Sequence, residues 1–290
     1  MNITAVGHIS IDTLITESGQ FEQLGGPPSF MSAVSDVIAS KVGVVTRFGP
    51  DFPEVFRELF RERGIDLAPW TCESPTTRFI LDYTSQPRGL GVGSVCDCIE
   101  AADVLDSGCV VLSPIVGEIN ESLLGSVESD FLALDPQGLV RKIYDDGSIT
   151  LEPWSSPHLS RVNLLKTSVR EHLFISGEPD PLRSLEKIIE IGVDFAVITL
   201  GDGGSLVHSE DTRLKVPVYP TETVDSTGAG GCFLAALSHS LSRGELLQWS
   251  CAWASAVASS VVETRGPFIE LSRTAVTERA ENLLEKIQRV

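Results

Sequence analysis

Short apolar runs alternate with longer mixed stretches through most of the chain, and this alternation predicts its secondary structure. Runs with few polar positions are typical of strands that a parallel sheet buries on both faces. They occur at residues 3–6, 42–46, 109–112, 131–135, 162–166 and 195–200. Helices are predicted between and after these runs, at residues 52–63, 119–127, 178–191, 245–263 and 273–290.

Alternation of this kind predicts an α/β fold, a three-layer sandwich with a mainly parallel central sheet. The length of 290 residues suits one large α/β domain with a small appendage. No internal repeat, linker or low-complexity segment divides the chain. We therefore expect residues 1–290 to form a single domain.

Several segments differ from the strand–helix alternation. Residues 14–24 predict a hairpin with a turn at 17–20, and residues 76–83 predict a strand. Pro27 and Pro28 suit the first turn of a helix, which we expect to run to Ala39. The glycine-rich residues 89–93 are expected to break the chain. They are not a dinucleotide-binding turn, because no βαβ unit surrounds them and the glycines are spaced wrongly. A closing hairpin is predicted at residues 206–208 and 215–219.

Composition narrows the functional classes. The net charge of −18, without a basic stripe, argues against a nucleic-acid partner. No apolar run approaches the roughly 18 residues of a membrane helix, and the N-terminus enters a strand pattern without a signal peptide. We expect a cytoplasmic protein with no membrane partner.

Cysteine and histidine spacing gives no sign of a metal site. The six cysteines are scattered, so we expect free thiols in a reducing compartment. Cys96 and Cys98 are too close together and too isolated for a zinc site. The five histidines form no pair with metal-ligand spacing.

The most informative stretch is the turn at residues 224–233, VDSTGAGGCF, which precedes a predicted helix. Phe233, Leu237 and Leu241 recur every four residues and form one apolar stripe. Residues 228–231 carry almost no side chain, so backbone N–H groups and the positive end of the helix dipole lie open. This pattern is typical of an anion site, most often for phosphate. A plain glycine-rich turn is the alternative.

The whole string resembles the C-terminal signature of the ribokinase-like (PfkB) carbohydrate kinases, Asp-Thr-x-Gly-Ala-Gly-Asp. In that family the turn amides form an anion hole for the moving phosphate, which here implies Gly228, Ala229 and Gly230. The last Asp is the base that takes the proton from the substrate hydroxyl. This chain has Gly231 at that position, which puts the catalytic base in doubt.

The resemblance also implies a small β lid formed by about residues 13–24 and 70–98. Gly25 and Gly26 match a glycine pair that the family places beside the substrate, at the junction of lid and main domain. Arg78 lies on the implied lid, where it either reaches the substrate or only decorates the lid surface.

Other acceptor contacts are implied by position in the family pattern. An Asp after the first strand binds substrate hydroxyls in this family, which implies that role for Asp12; a simple turn Asp is the alternative. The string Asp-x-Gln-Gly-x-x-Arg at residues 135–141 looks like the archaeal sub-branch that includes myo-inositol kinase. Gln137 and Arg141 are therefore candidate contacts to a polyol or phosphate, unless this loop merely caps a strand.

The resemblance implies ATP and Mg²⁺ as cofactors. Glu171 matches the acid that helps to hold Mg²⁺ through water, although Ser168 replaces the usual Asn or Asp three residues earlier. A glycine-rich segment after the strand at 195–200 resembles the family's phosphate-side turn. The implied nucleotide-binding residues are Thr199, Gly201, Gly203, Gly204, Thr227, Gly228 and Gly230.

The implied reaction transfers a phosphoryl group from ATP to a hydroxyl of a small polyol or sugar; myo-inositol is one candidate acceptor, and a pentose, a ketose or a nucleoside stays open. Because glycine has no proton acceptor, we predict that substrate binding is retained and turnover is low. Three hypotheses compete: a kinase whose base was lost by substitution at 231, a catalytically silent nucleotide- or polyol-binding homologue, and an enzyme with a different base. We favour the first. The pattern leaves a monomer and a homodimer paired through the lid equally open.

Overall fold

The structure is a computed structural model that describes residues 2–38, 40–65, 67, 72–85, 89–104 and 107–290. Its strands are β1 (Ile3–Val6), β2 (Ser10–Thr16), β3 (Gly19–Gly25), β4 (Val42–Val45), β5 (Arg78–Asp82), β6 (Gly89–Ser94), β7 (Ser107–Leu112), β8 (Ser129–Leu134), β9 (Arg141–Ile143), β10 (Ile149–Leu151), β11 (Leu164–Ser168), β12 (Phe195–Thr199), β13 (Ser205–Ser209), β14 (Thr212–Val216) and β15 (Gln288–Arg289). Its α-helices are α1 (Pro27–Met31), α2 (Glu54–Glu62), α3 (Glu121–Ser126), α4 (Gln137–Val140), α5 (His172–Ser176), α6 (Pro181–Glu190), α7 (Ala229–Ser242), α8 (Leu247–Val261) and α9 (Arg273–Leu284).

A nine-stranded sheet forms the centre of the molecule, in the order β15-β14-β13-β12-β11-β8-β7-β1-β4. Neighbouring strands from β4 to β12 run parallel. The pairs from β12 to β15 are antiparallel. The predicted α/β fold with a mainly parallel sheet is therefore confirmed.

The central sheet is buried on both faces, which explains why its strands read as continuous apolar runs. Successive side chains of β7 illustrate this, because Cys109 and Val111 join one core cluster while Val110 and Leu112 join the other. The first cluster contains buried residues of α1, α7, α8 and α9, and the second contains residues of α3 and α6. Helices thus cover both sheet faces, as the three-layer prediction required.

A second, four-stranded sheet has the order β3-β2-β5-β6 and lies where the β lid was expected. The pairs β2–β3 and β5–β6 are antiparallel, and β2 and β5 are parallel. Within the predicted lid range 70–98, residues 70, 71 and 86–88 lie outside the described part of the chain. The assignment of this sheet as a substrate lid stays a prediction.

The expectation that residues 89–93 break the chain is wrong, because they form strand β6. Leu90 and Val92 alternate with the glycines, and both pack against a small apolar cluster that includes Ile115. The Val92 N–H donates to the Gly147 carbonyl at 3.0 Å. The glycines therefore belong to a strand that another segment approaches closely, and not to a turn.

Some predicted bounds also need correction. The helix expected to reach Ala39 is α1 followed by a 3₁₀ turn at Ser32–Asp36, and Ala39 itself lies outside the described residues. The helix expected at 273–290 ends at Leu284, after which β15 adds an edge strand to the central sheet. Sequence analysis missed the small hairpin of β9 and β10.

The cysteines differ in part from expectation. Cys72 and Cys96 are joined by a disulfide, because the fold brings together positions 24 residues apart. Scattered sequence positions do not reveal such proximity. Cys98, Cys109, Cys232 and Cys251 are free thiols. In the described ranges, no helix combines the length and the apolar character that a membrane crossing requires.

Candidate active site

The turn before α7 is held open by its own side chains. Asp225 Oδ1 accepts hydrogen bonds from the Thr227 N–H at 2.9 Å and the Thr227 hydroxyl at 2.7 Å. Gly228 is the N-cap of α7 with φ 81°, a left-handed conformation that favours glycine. A Cβ at this position would collide with the ring of Phe30. Both backbone and packing therefore require glycine at 228.

The start of α7 has the features of an anion site. Gly230 and Gly231 occupy the second and third helical positions, so their N–H groups have no carbonyl of the preceding helical turn to bond. The helix dipole adds positive potential at the same end. The Lys166 ammonium nitrogen lies 3.1 Å from the point where a Cβ on Gly230 would stand. Backbone amides and a buried cation therefore meet at this turn.

Gly231 is different from Gly228, because nothing in the backbone requires glycine there. A Cβ on Gly231 would meet its nearest neighbours, Met31 Cε and Pro27 Cβ, at 3.4 and 3.5 Å, which is ordinary van der Waals contact. The position can therefore accept the first atom of an aspartate side chain without backbone strain.

A cavity of about 280 Å³ lies beside this turn. We call it the acceptor cavity; it is lined by Ser10, Asp12, Gly26, Pro27, Phe30, Phe79, Leu81, Leu90, Ile115, Asp135, Gln137, Arg141, Lys166, Ser226, Thr227, Gly228, Gly230 and Gly231. It brings together residues that the sequence predicted from widely separated segments. It also contains Asp135 and Lys166, which sequence analysis did not single out.

Asp12 lies on β2 and is buried in the wall of the acceptor cavity. Its Oδ1 accepts a hydrogen bond from the Ser10 hydroxyl at 2.7 Å. A Cβ on Gly25, the cross-strand partner of Ser10, would collide with the Asp12 carboxylate. Gly25 does not line the cavity, but its missing side chain gives Asp12 the space that it occupies.

Asp135 and Lys166 form a buried ion pair in the same wall. Lys166 Nζ donates to Asp135 Oδ2 at 2.6 Å, and each side chain is at most 7 % exposed. Burial raises the pKa of the Asp135 carboxyl, against the opposing charge of Lys166. Burial alone would lower the pKa of Lys166, but the charges of Asp135 and Glu171 raise it. A lone Lys in an apolar strand was the sequence signal for this pair, because lysine is almost never fully buried unless paired.

Glu171 is also buried, and its charge acts on Lys166. Its Oε2 accepts the Ser168 N–H at 2.9 Å, and its Oε1 accepts the Gln137 amide at 3.4 Å. Burial would raise the pKa of Glu171, but the Lys166 charge and the hydrogen bonds from Ser168 hold it below its ordinary value. Glu171 is not among the lining residues of the acceptor cavity.

The two predicted arginines occupy different environments. Arg141 lines the acceptor cavity, donates to the Ile115 carbonyl at 3.0 Å and stands 5.8 Å from the centre of the Phe79 ring. Arg78 instead forms ion pairs with Glu22 and Asp51 on and beside the four-stranded sheet, and it is not a lining residue of the acceptor cavity. Its assignment as a substrate contact stays a prediction without support from these contacts.

A second cavity, of about 460 Å³, lies on the other side of the same turn. We call it the donor cavity; it is lined by Thr199, Gly201, Asp202, Gly204, Ser205, Val218, Tyr219, Pro220, Thr221, Thr223, Ser226, Ala229, Gly230, Phe233, Ser255, Ala258, Ser259 and Val262. Of the predicted nucleotide contacts, Thr199, Gly201, Gly204 and Gly230 are among them. Gly203 is absent from the lining, while Thr227 and Gly228 face the acceptor cavity.

The two cavities share a border at Ser226 and Gly230. A wall of the donor cavity is fixed by the ring of Tyr219, over which the Arg279 guanidinium stands at 4.9 Å. Arg279 is held in turn by Glu263 at 2.9 Å. The arrangement can bind one molecule on each side of an anion-binding turn.

The predicted Mg²⁺ would need oxygen ligands from the side chains of this site. Over the described ranges, no group of three or more His, Cys, Asp or Glu side chains is arranged to hold a metal ion. The Glu171 carboxylate is already engaged by Ser168 and Gln137. These residues do not form a metal site of their own, and the metal role of Glu171 stays a prediction.

Comparison with known proteins agrees with this geometry. A family model described as pfkB family carbohydrate kinase matches residues 149–273, which contain the α7 turn and every lining residue of the donor cavity. A cytidine kinase of Thermococcus kodakarensis is 28% identical over 261 residues, covering 86% of this chain and 91% of that protein. An inositol 3-kinase of Arabidopsis thaliana is 31% identical over 262 residues, covering 83% of this chain and 68% of that protein.

The fold is shared with solved structures. A sulfate complex of a pyrophosphate-dependent kinase in the ribokinase family has a TM-score of 0.82 at 22% identity, covering 95% of this chain and 99% of that one. The family model covers the turn and the lining of the donor cavity, and the similarity to the inositol 3-kinase covers 83% of this chain. On these grounds the chain belongs to the pfkB (ribokinase-like) family of carbohydrate kinases.

Proposed function

We propose that this chain is an ATP-dependent phosphotransferase that phosphorylates a hydroxyl of a small polyol or sugar, with turnover limited by the glycine at 231. The observation that carries the proposal is the shared border of the two cavities at Ser226 and Gly230. A donor on one side and an acceptor hydroxyl on the other would meet at the open amides of α7. Phosphoryl transfer asks the protein mainly for this positioning and for stabilisation of negative charge.

The donor cavity favours a nucleotide over pyrophosphate. Apolar groups of Val218, Tyr219, Phe233, Ala258 and Val262 line it, and a flat heterocycle is the part of ATP that such walls would bury. Pyrophosphate has no apolar part to place there. ATP would bring the cation that its phosphates hold. The chain itself would contribute the backbone N–H groups of Gly230 and Gly231 to the binding of the phosphates.

The acceptor cavity favours a small polyol. Its volume of about 280 Å³ lies at the lower limit of ordinary ligand pockets. Asp12, Gln137 and Arg141 offer it hydrogen-bond partners, and a carboxylate accepts more than one hydroxyl donor. The similarity to the Arabidopsis inositol 3-kinase makes myo-inositol the first candidate. The similarity to a cytidine kinase keeps a nucleoside as the second.

Glycine at 231 is the reason to expect slow turnover. A general base contributes typically 10²- to 10⁴-fold to the rate of such a step, and glycine cannot accept a proton. Because a Cβ at 231 would lie at ordinary van der Waals distances from its neighbours, we expect the Gly231→Asp variant to fold normally. The absence of a base at 231 also favours a second candidate function, that of a catalytically silent protein that binds a nucleotide or polyol without turnover.

The test is a product assay with ATP and a panel of myo-inositol, ribose, fructose and cytidine. It compares the chain with Gly231→Asp and with Gly231→Asn, which has the same size without a basic carboxylate. We expect Gly231→Asp to phosphorylate one acceptor about 10²-fold faster than the chain itself, and Gly231→Asn to give no gain. If neither the chain nor Gly231→Asp forms product while calorimetry detects ATP or polyol binding, the silent binding protein is the correct account.

A further inference from the structure

The acceptor cavity contains a second carboxylate besides Asp12. Asp135 follows β8, is 5 % exposed, and lines the cavity together with Gly230 and Gly231. Its Oδ2 accepts from Lys166 at 2.6 Å, and its Oδ1 accepts the Gln137 N–H at 3.2 Å. Each carboxylate oxygen has two lone pairs. Each Asp135 oxygen therefore has capacity for one more proton donor from the cavity.

Lys166 connects this carboxylate to the phosphoryl side. Its nitrogen is 2.6 Å from Asp135 and 3.1 Å from the Cβ position of Gly230, the residue that borders both cavities. By these two distances, Asp135 Oδ2 is within about 6 Å of the Cβ position of Gly230, with the Lys166 ammonium between them. Asp135, Lys166 and Gly230 line the same cavity, so an acceptor bound in that cavity lies beside all three.

A buried ion pair is seldom retained for stability alone, because removing two charges from water offsets most of their attraction. Here the pair lies on the wall of a cavity whose expected base is missing. Burial raises the pKa of the Asp135 carboxyl, which makes it a better proton acceptor than an exposed aspartate. We propose, on the basis of the proposed kinase function, that Asp135 is the proton acceptor for the substrate hydroxyl in this chain, with Lys166 as its charge partner.

The acceptor oxygen forms a bond to the γ-phosphorus of ATP, and the bond from that phosphorus to the β–γ bridging oxygen breaks, with its electron pair leaving on ADP. The acceptor proton moves to Asp135. Lys166 then loses its nearest counter-ion while negative charge lies on the phosphoryl group beside Gly230. Proton transfer to Asp135 therefore makes the Lys166 charge available where the phosphoryl group needs it.

The test is a double-mutant cycle of Asp135→Asn with Gly231→Asp, with the kcat of phosphate transfer as the readout. In the chain with Gly231, we expect Asp135→Asn to lower kcat about 10²-fold, because it removes the proton acceptor. In the Gly231→Asp background, where a second base is present, we expect a loss below about fivefold. Asp12→Asn is the matched control and should lower activity by the same factor in both backgrounds.

Equal losses from Asp135→Asn in the two backgrounds would overturn this inference and leave the kinase function standing. Absence of product from Gly231→Asp with every acceptor would overturn both. Because Asn removes the nearest counter-ion of the buried Lys166, unfolding midpoints are measured for each variant. If Asp135→Asn does not fold, Asp135→Asn combined with Lys166→Met removes both charges, and its kcat loss must still be larger with Gly231 than with Asp at 231.

Discussion

The acceptor and donor cavities meet at one turn but are built in different ways. The acceptor side includes four charged side chains from distant segments, namely Asp12, Asp135, Arg141 and Lys166. Mostly uncharged residues from three continuous stretches form the donor side, at 199–205, 218–233 and 255–262. The donor side therefore depends on local turns and small side chains, whereas the acceptor side depends on long-range assembly. Substitutions should separate the two.

The largest effect is expected at the shared turn, from Gly228→Ala. A non-glycine residue with φ near 81° is strained by about 1–3 kcal/mol, and its Cβ would displace Phe30. We expect kcat to fall about 10³-fold, because the anion-binding amides move. The matched control is Gly177→Ala, which has φ 68° and no atom near its Cβ position. It should cost similar backbone strain in urea unfolding and leave kcat unchanged; equal kcat losses would contradict the assignment of the turn.

On the acceptor side, Arg141→Lys should raise the acceptor KM about 10- to 100-fold. Lysine cannot reproduce the guanidinium contacts to the Ile115 carbonyl and the Phe79 ring, and a hydrogen bond to a charged group contributes about 1.5–3 kcal/mol. The KM for ATP should stay within about twofold. Steady-state kinetics with each substrate varied in turn measures both values. A change confined to the ATP KM would show that the cavities have been assigned the wrong way round.

On the donor side, Ala258→Leu should raise the KM for ATP about tenfold, because the larger side chain occupies the apolar wall. The acceptor KM should not change. Ala275→Leu on α9, which lines neither cavity, is the control and should have no effect on either KM. If the Ala258→Leu variant uses pyrophosphate as donor at the same rate as the unchanged chain uses ATP, the assignment of this cavity to a nucleotide is wrong.

The smallest effect concerns stability away from both cavities, at His239 near the end of α7. Burial, with the Arg243 charge second, lowers the pKa of His239 to about 4. Below about pH 6.5 this histidine is protonated in the unfolded chain but stays neutral in the folded chain. The free energy of unfolding therefore falls as the pH drops from 6.5 towards 4. At pH 5 this costs about 1–2 kcal/mol.

Urea unfolding at pH 7.5 and pH 5 measures this effect. The loss between the two pH values should be smaller in His239→Gln by about 1–2 kcal/mol. Because His239 lines neither the acceptor nor the donor cavity, kcat at pH 7.5 should stay the same. An equal pH dependence in both chains would show that His239 protonates without penalty.

The sequence predicted the local parts of this molecule well. The parallel sheet was predicted from continuous apolar runs, which are typical of strands buried on both faces. The α7 turn was predicted from four consecutive small residues. Side-chain pairs that join distant segments could not be predicted in the same way. Asp135 and Lys166 are 31 residues apart, and only the crossover between β8 and β11 brings them together.

Arg78 was expected either to reach the substrate or only to decorate the lid, and in the structure it forms ion pairs with Glu22 and Asp51. One prediction was wrong for a specific reason. The glycine-rich residues 89–93 were expected to break the chain. In the structure, Leu90 and Val92 have an apolar cluster to pack on, so tertiary contacts override the local preference.

The central claim is that two cavities serve one phosphoryl transfer whose usual base is missing at 231. Comparing kcat for Gly231→Asp and Gly231→Asn with ATP and myo-inositol tests it most directly, since the variants differ only in the basic carboxylate. We predict a ratio of about 10² or more, with both KM values within about threefold of those of the chain. A ratio near one, with product formed by both variants, would contradict the role of position 231. Absence of product from both variants with every acceptor in the panel would contradict the transfer itself.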